Sequence, residues 1–375
     1  MNPEDYTADR PITVTQPSLP PLAEFLPYLE QIWASRILTN GGPMHQRLES
    51  ALAEYLGVSH VALFCNGTIA LVTALKALGI QGEVVTTPFT FVATAHALQW
   101  NGVRPVFVDI DPRTCNMRAD LIEGAITGET RAILPVHCYG YPCDVDGIDA
   151  IASRHGLPVI YDAAHTFGVT HRGVSLSAAG DIAMLSFHAT KVFSTFEGGA
   201  LVIHDAGLKS RVERLRNFGF ADETVVDAVG INGKMSEIQA AFGLLQLSKV
   251  RENIERNLRI AAQYSQGLAG VRGVSHLPQP AESVGNGSYY PIRVGPDYPM
   301  RRDQLYERLR QAGIRTRRYF YPLVSEMPMY RSLPSADPAR LPNAHRVAEE
   351  ILCLPIYPAL STDVVTRIVE IIQSP

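Results

Sequence analysis

An α/β fold, built on one large and mostly parallel sheet with a smaller C-terminal α+β domain, is predicted here by three observations. From about residue 44 to residue 203, short apolar or β-branched runs alternate with segments of helical period, the pattern of βαβ units. Those runs are apolar on both faces, as strands covered by helices on each side must be. Beyond residue 250 the alternation loosens and Pro and Gly become frequent. A chain of 375 residues also exceeds the usual size of one hydrophobic core. The predicted division is a large domain over 1–250, including an N-terminal arm, and a small domain over 251–375.

The elements follow in chain order. Residues 11–21 hold four prolines and read as an extended arm. Met44, Leu48, Ala51, Leu52, Tyr55 and Leu56 fall at helical spacing, and Gly57 is placed to end that helix. Strands are predicted over 60–65, 84–87, 105–110, 132–136, 159–161, 183–187 and 200–203, with covering helices over 69–78 and 145–152. A long helix over 236–268 follows the loop at Gly230 to Gly233. The C-terminal region is assembled from 289–294, 302–311 and 364–372.

Composition excludes several classes. A 46% apolar and 19% charged chain is an ordinary globular protein. A net charge of -4 leaves no basic footprint for nucleic acid or an anionic membrane. No apolar run approaches membrane-spanning length, and the start, with Glu4 and Asp5 and no apolar core after them, is not a signal peptide. The cytoplasm is the expected compartment. Five scattered cysteines, without C-x-x-C spacing, indicate neither a disulfide framework nor a zinc site. His137, Cys138 and Cys143 read as buried groups at a strand end, and no metal is expected.

Four short segments carry chemistry. In Tyr161-Asp162-Ala163-Ala164-His165 an apolar strand ends in a carboxylate and an imidazole, where ligands sit in parallel sheets. Such an aspartate serves as a helix cap, a metal ligand or a partner for a cationic ring nitrogen. Lys191 follows a strand and the hydroxyl-bearing turn after it, and precedes Gly198-Gly199. It is a solvated turn residue or, if desolvated, an amine of lowered pKa that can bond an aldehyde. Cys65-Asn66-Gly67-Thr68 is a strand-to-helix turn, either plain or an anion site at a helix N-terminus. It lacks both nucleotide glycine signatures, so a smaller phosphate suits it better. Pro88-Phe89-Thr90-Phe91 offers aromatic rings either to the core or to a planar cofactor.

Together these are the parts of a pyridoxal-phosphate site. Asn66-Gly67-Thr68, Thr87-Pro88-Phe89-Thr90-Phe91, Val108-Asp109-Ile110-Asp111, Asp162-Ala163-Ala164-His165, Ser186-Phe187-His188-Ala189-Thr190-Lys191 and Glu197-Gly198-Gly199 resemble the DegT/DnrJ/StrS family of nucleotide-sugar aminotransferases. The resemblance spans nearly the whole chain and implies the aspartate-aminotransferase-like fold, type I of the pyridoxal-phosphate enzymes. It implies Lys191 as the Schiff-base lysine and Asp162 as partner of the pyridinium nitrogen. His165, where many relatives carry glutamine, would lie against the phenolic oxygen. Gly67, Thr68 and Ser186 would hold the phosphate, and Phe91 would stack on the ring. Gly230-Ile231-Asn232-Gly233-Lys234-Met235 matches a motif that reaches the neighbouring subunit's phosphate, which nominates Asn232 and a homodimer.

The same resemblance implies L-glutamate as amino donor, pyridoxamine phosphate as the carrier between half-reactions, and Lys191 as the base and acid of the proton shift. Leu38-Thr39-Asn40-Gly41-Gly42-Pro43 and Phe187-His188-Ala189-Thr190-Lys191-Val192-Phe193 resemble the subgroup that aminates C4 of dTDP-4-keto-6-deoxyglucose, making dTDP-4-amino-4,6-dideoxyglucose. Amination at C3 is the alternative. Thr39, Asn40, Arg318, Tyr319 and Tyr321 are the substrate-binding candidates. The segment 317–323 resembles one that often continues with histidine, where this chain has Val324. A sugar dehydratase on this scaffold would carry histidine in place of Lys191, and a non-catalytic regulator would have lost Lys191 or Asp162; both are present.

Overall fold

The computed structural model describes residues 11–375; Glu4 and Asp5 lie outside them. The chain runs α1 (Leu22–Ser35), α2 (Pro43–Leu56), β1 (His60–Phe64), α3 (Gly67–Ala77), β2 (Glu83–Thr86), α4 (Ala93–Trp100), β3 (Arg104–Phe107), β4 (Thr130–Leu134), α5 (Val145–His155) and β5 (Ile160–Asp162). A small hairpin of β6 (Thr170–His171) and β7 (Val174–Ser175) precedes β8 (Ile182–Ser186), β9 (Gly199–Ile203), α6 (Ala206–Arg216) and the long α7 (Glu237–Gly267). The remainder is β10 (Val274–His276), β11 (Ser283–Val284), β12 (Tyr290–Val294), α8 (Arg302–Gln311), α9 (Pro342–Glu350), β13 (Ile351–Leu354) and α10 (Thr362–Gln373).

The main sheet has the order β1-β9-β8-β5-β4-β2-β3, with bridges Ile133–Val159 and Val136–Asp162 joining β5 to β4. All pairs among β8, β5, β4, β2 and β3 are parallel. The sequence reading grouped the strand at 200–203 with the parallel ones, and this needs correction: β9 runs antiparallel to both β1 and β8. The reason lies in the connection, since residues 187–198 contain no helix to carry the chain back over the sheet.

Period-two alternation explains why these strands look apolar throughout. Val61 and Leu63 of β1, Ala183 and Leu185 of β8, and Ala200 and Val202 of β9 enter the core beneath α2 and α7. Ala62, Phe64, Ile182, Met184, Leu201 and Ile203 enter the core on the opposite face, with Leu71 and Leu75 of α3.

The helix ends follow their local chemistry. Gly57 ends α2 at φ +65° and returns its amide to Ala53 and Glu54 carbonyls. Ser236 and Gln239 form a reciprocal capping box at the start of α7. With 31 residues, α7 is about 46 Å long at 1.5 Å per residue. Ala240 to Ile254 of α7 pack in the core beneath the main sheet. Ile260 and Tyr264 pack in a second core with α8, α10, β12 and β13. There, β10, β12 and β13 form an antiparallel sheet. The proline-rich arm is extended: Ile12 exchanges backbone bonds with Gly313 and Arg315 at 2.9 and 2.7 Å, and Val14 accepts from Ile356 at 3.0 Å. Helix α1, a stretch to which the sequence reading assigned no element, buries only Phe25 and Ile32 and exposes Leu22, Leu26 and Trp33. Among the described residues no helix is long and apolar enough to cross a membrane.

Candidate active site

A cavity of about 250 Å³ opens beyond the carboxyl ends of β1, β2, β5 and β8. Gly67, Thr68, Phe91, Asp162, His165, Ser186, Lys191 and Tyr319 all line it. A larger open depression of about 980 Å³, between α5 and the β6–β7 hairpin, holds none of these residues.

At one end lies the β1–α3 turn. Asn66 caps α3 by accepting from Ile69 N at 2.8 Å, and the first intrahelical bond runs from Ala70 N to Asn66 O. The amides of Gly67 and Thr68 precede that bond, at the positive end of the helix where an anion is favoured. Space is tight at both glycines that meet here, and at Gly199 it is backbone that leaves no room. A Cβ on Gly67 would lie 3.0 Å from Met184 Sδ, and one on Gly199 would lie 2.6 Å from Gly67 N.

Asp162 closes β5 at the opposite, buried end. Its Oδ2 accepts from Thr94 Oγ1 at 2.7 Å and its Oδ1 from Ala164 N at 3.1 Å. Thr94 is itself bonded to Thr90 at 2.8 Å. Burial pushes the Asp162 carboxyl above its usual range, with the Thr94 and Ala164 bonds and the Lys191 charge opposing it.

His165, three residues on, is buried and accepts from Tyr139 N at Nδ1, 3.0 Å away. The proton of the neutral ring therefore sits on Nε2, which makes that edge a donor. Burial, and then the charge of Lys191, hold His165 well below the usual imidazole range. The turn that delivers Tyr139 is clamped by Asn116, which accepts from Cys138 N and donates to the Tyr141 and Pro142 carbonyls. Cys138 and Cys143 are buried thiols just after β4, as expected, and Cys143 N donates to His137 Nδ1 at 3.1 Å.

Lys191 lies between β8 and β9, its backbone amide bonded to His188 O at 2.9 Å. Desolvation lowers its pKa to about 8, against a raising influence from Asp162. Nζ donates to Tyr289 Oη at 2.9 Å.

The remaining candidates lie at the cavity's rim or outside it. Phe91 is 58% exposed at the cavity's rim. Thr39 and Asn40 sit in the exposed loop before α2, with Asn40 at φ +63°. Glu237 of α7 ties that loop by donating its backbone amide to Leu38 O at 2.9 Å, and its carboxylate accepts from the Met44 and His45 amides of α2 at 2.8 and 2.9 Å. Arg318 turns away from the cavity to Asp303 at 2.9 Å and covers the Tyr306 and Tyr321 rings. Asn232 is exposed outside its own chain's cavity, in a loop held by Ile231 N to Leu215 O and Gly233 N to Arg216 O.

Sequence reasoning missed Thr90, Thr94, Tyr289 and Phe320. The hydroxyls at 90 and 94, one helical turn apart beside the aromatic segment, were a usable signal. Nothing local distinguishes Tyr289.

The model of the DegT/DnrJ/EryC1/StrS aminotransferase family matches residues 22–373. Two relatives, each a dTDP-4-amino-4,6-dideoxy-D-glucose transaminase, align over 365 residues. The one from Shigella dysenteriae is 50% identical, covering 97% of this chain and 99% of the relative. The one from Escherichia coli is 52% identical, covering 97% and 98%. Among solved structures, DesI in the presence of its TDP-sugar product superposes with a TM-score of 0.93 at 38% identity, covering 97% of this chain and 92% of DesI. The aminotransferase TlmJ from Streptoalloteichus hindustanus gives 0.89 at 32% identity, covering 97% and 98%. The fold implied by the resemblance is thus the one found, and the chain belongs to the DegT/DnrJ/EryC1/StrS aminotransferase family.

Proposed function

We propose that this sugar aminotransferase moves the amino group of L-glutamate to C4 of dTDP-4-keto-6-deoxy-D-glucose, giving dTDP-4-amino-4,6-dideoxy-D-glucose, with pyridoxal phosphate as cofactor. The observation that carries the chemistry is the placement of Lys191 and Asp162 in one cavity that ends in the amide-lined Gly67-Thr68 turn. The choice of sugar rests on the 50% and 52% identity to the two transaminases.

The donor set fits the cofactor group by group. The buried Asp162 carboxylate, fixed by Thr94 and Ala164, matches a protonated ring nitrogen. The Nε2 edge of His165 matches a phenolate oxygen, and the Lys191 amine matches an aldehyde. Gly67, Thr68 and Ser186 match a phosphate, and the glycine cradle there is one a Cβ would fill. Bound in this cavity, pyridoxal phosphate supplies an electron sink and carries the amino group between the two substrates.

The protein's own contribution is positional and acid–base. Asp162 keeps a proton on the ring nitrogen, which its burial makes worth more than it would be in water. Lys191 Nζ, with a pKa near 8, takes the proton leaving the donor's Cα and returns it in the next step. Phe91 covers one face of the ring. Asn232 reaches the phosphate of the neighbouring subunit in a homodimer, and the exposed apolar side of α1 suits such an interface. The loop with Thr39 and Asn40 and the segment with Arg318, Tyr319 and Tyr321 meet the nucleotide sugar. We place a large domain over 1–250 and a small one over 251–375; supporting a division along α7, Ile254 packs in the first core and Ile260 in the second.

The test is an amination assay with dTDP- and UDP-linked keto sugars and glutamate, with products identified by NMR. The expected product is the 4-amino-4,6-dideoxyglucose nucleotide. Exclusive amination at C3 would overturn the assignment of carbon. A cofactor-replete wild type lacking any borohydride-sensitive visible band that Lys191→Ala also lacks would overturn the site.

A further inference from the structure

One cavity residue with no role so far is Tyr289. It enters from the chain segment just before β12, far in sequence from every group discussed above, and its phenol oxygen accepts a hydrogen bond from Lys191 Nζ at 2.9 Å. That contact favours a charged or partly charged amine. We infer that Tyr289 is a catalytic residue, which holds the Lys191 amine whenever it is not bonded to the cofactor and steadies the proton that the amine carries.

The surroundings are built to keep that phenol still. Its ring packs 4.6 Å from His165 and edge-on to Tyr319 at 6.1 Å. The segment is pinned by Asn286, which is buried, donates to the His165 and Phe167 carbonyls at 2.9 Å each, and accepts from Ser288 N at 2.9 Å. Gly287 sits at φ +61° against Asn257, where a Cβ would come within 2.7 Å. Tyr289 is thereby attached to the same turn that carries Asp162 and His165. Burial keeps the phenol protonated, so its oxygen accepts from the amine and does not compete as a base.

This role follows from what a transferring lysine needs. While bonded to the cofactor it is located by that bond. Once the amino donor displaces it, a flexible four-carbon side chain must stay within reach of the carbon it serves. It then takes one proton from the donor's Cα and gives one up, leaving its own proton count unchanged over the half-reaction. The ammonium form between those two transfers stands in a desolvated cavity, where the Tyr289 oxygen replaces a lost water.

The inference rests on Lys191 being the cofactor-bearing lysine, and the experiment separates the two. Holoenzymes of wild type and Tyr289→Phe are mixed with L-glutamate or its 2-deuterated form, and loss of the visible band is followed by stopped flow. Tyr289→Phe is expected to keep a borohydride-sensitive band and a wild-type circular-dichroism melt. Its half-reaction should be slower by about tenfold to a hundredfold, the range for one hydrogen bond to a charged group. The deuterium isotope effect should rise above the wild-type value, because the proton step becomes more limiting. A normal band with unchanged rate and isotope effect overturns the role of Tyr289 alone. So does a slower rate with an unchanged isotope effect, which would mark Tyr289 as a packing or binding residue. A wild type without the band overturns the reading of Lys191 and this inference with it.

Discussion

Thr94 Oγ1 and Asp162 Oδ2 are joined by a 2.7 Å hydrogen bond across 68 positions of sequence, at the buried end of the cavity. The bond stabilises the ionised carboxylate against the burial that pushes its pKa up. In the function proposed here, Asp162 would use that charge to hold a proton on the cofactor's ring nitrogen.

Thr94→Val keeps the shape and removes the donor. The carboxylate should lose about 1.5–3 kcal/mol of support, so cofactor affinity and kcat are expected to fall by about tenfold to a hundredfold. Titration of the apoprotein with pyridoxal phosphate, followed by steady-state kinetics, measures both.

The lowered pKa of Lys191 sets a pH dependence whose sign is fixed. An amine titrating near 8 is a neutral nucleophile above that pH and an ammonium below it. Capture of pyridoxal phosphate by apoprotein should quicken roughly tenfold per pH unit below about 8 and level off above it. An unperturbed lysine would keep accelerating toward pH 10. Stopped-flow absorbance across pH 6 to 10 distinguishes the two curves.

Gly199 has no room to grow. A Cβ there would stand 2.6 Å from Gly67 N and 2.7 Å from Asn66 C, both backbone atoms of the phosphate turn. Gly199→Ala should cost about 1–3 kcal/mol of stability by overpacking and displace the Gly67 amide from its anion. A lowered melting temperature together with weaker phosphate-dependent cofactor binding is the expected pair of results.

Shared active sites would appear as complementation. Lys191→Ala and Asn232→Ala homodimers should each be impaired, and their mixture should regain activity, because one hybrid site receives both native residues. Hybrids confirmed by mass spectrometry that show no recovery would count against a role for Asn232 across the interface.

Much of this arrangement was legible because it is local. Gly57 after a helical stripe, Ser236 opening a helix and Gly67 in the 66–68 turn act within a few residues of themselves, and the structure has α2, α7 and α3 where those signals stand. Lys191 and Asp162 were legible as strand-end residues. The direction of β9 was not, because an apolar strand looks the same whichever way its neighbours run. Tyr289 was invisible for a related reason: its partner is 98 positions away, and a tyrosine beside a glycine-rich turn has no local mark of what it faces. The side-chain direction of Arg318 is likewise set by Asp303 and the Tyr306 ring, which only the packing of α8 brings near, with the Tyr321 ring beside it on its own segment.

The reversed strand β9 has one more consequence. Because β8 and β9 are immediate neighbours, residues 187–198 are anchored at both ends in the middle of the sheet, and Lys191 rides on that short bight of chain. Its span cannot be lengthened or trimmed without shifting the amine relative to Asp162. Loops at the rim, such as the one before α2, face no such restriction. Insertions and deletions that retune this scaffold for another sugar should therefore accumulate at the rim, while the bight that carries the lysine keeps a fixed residue count.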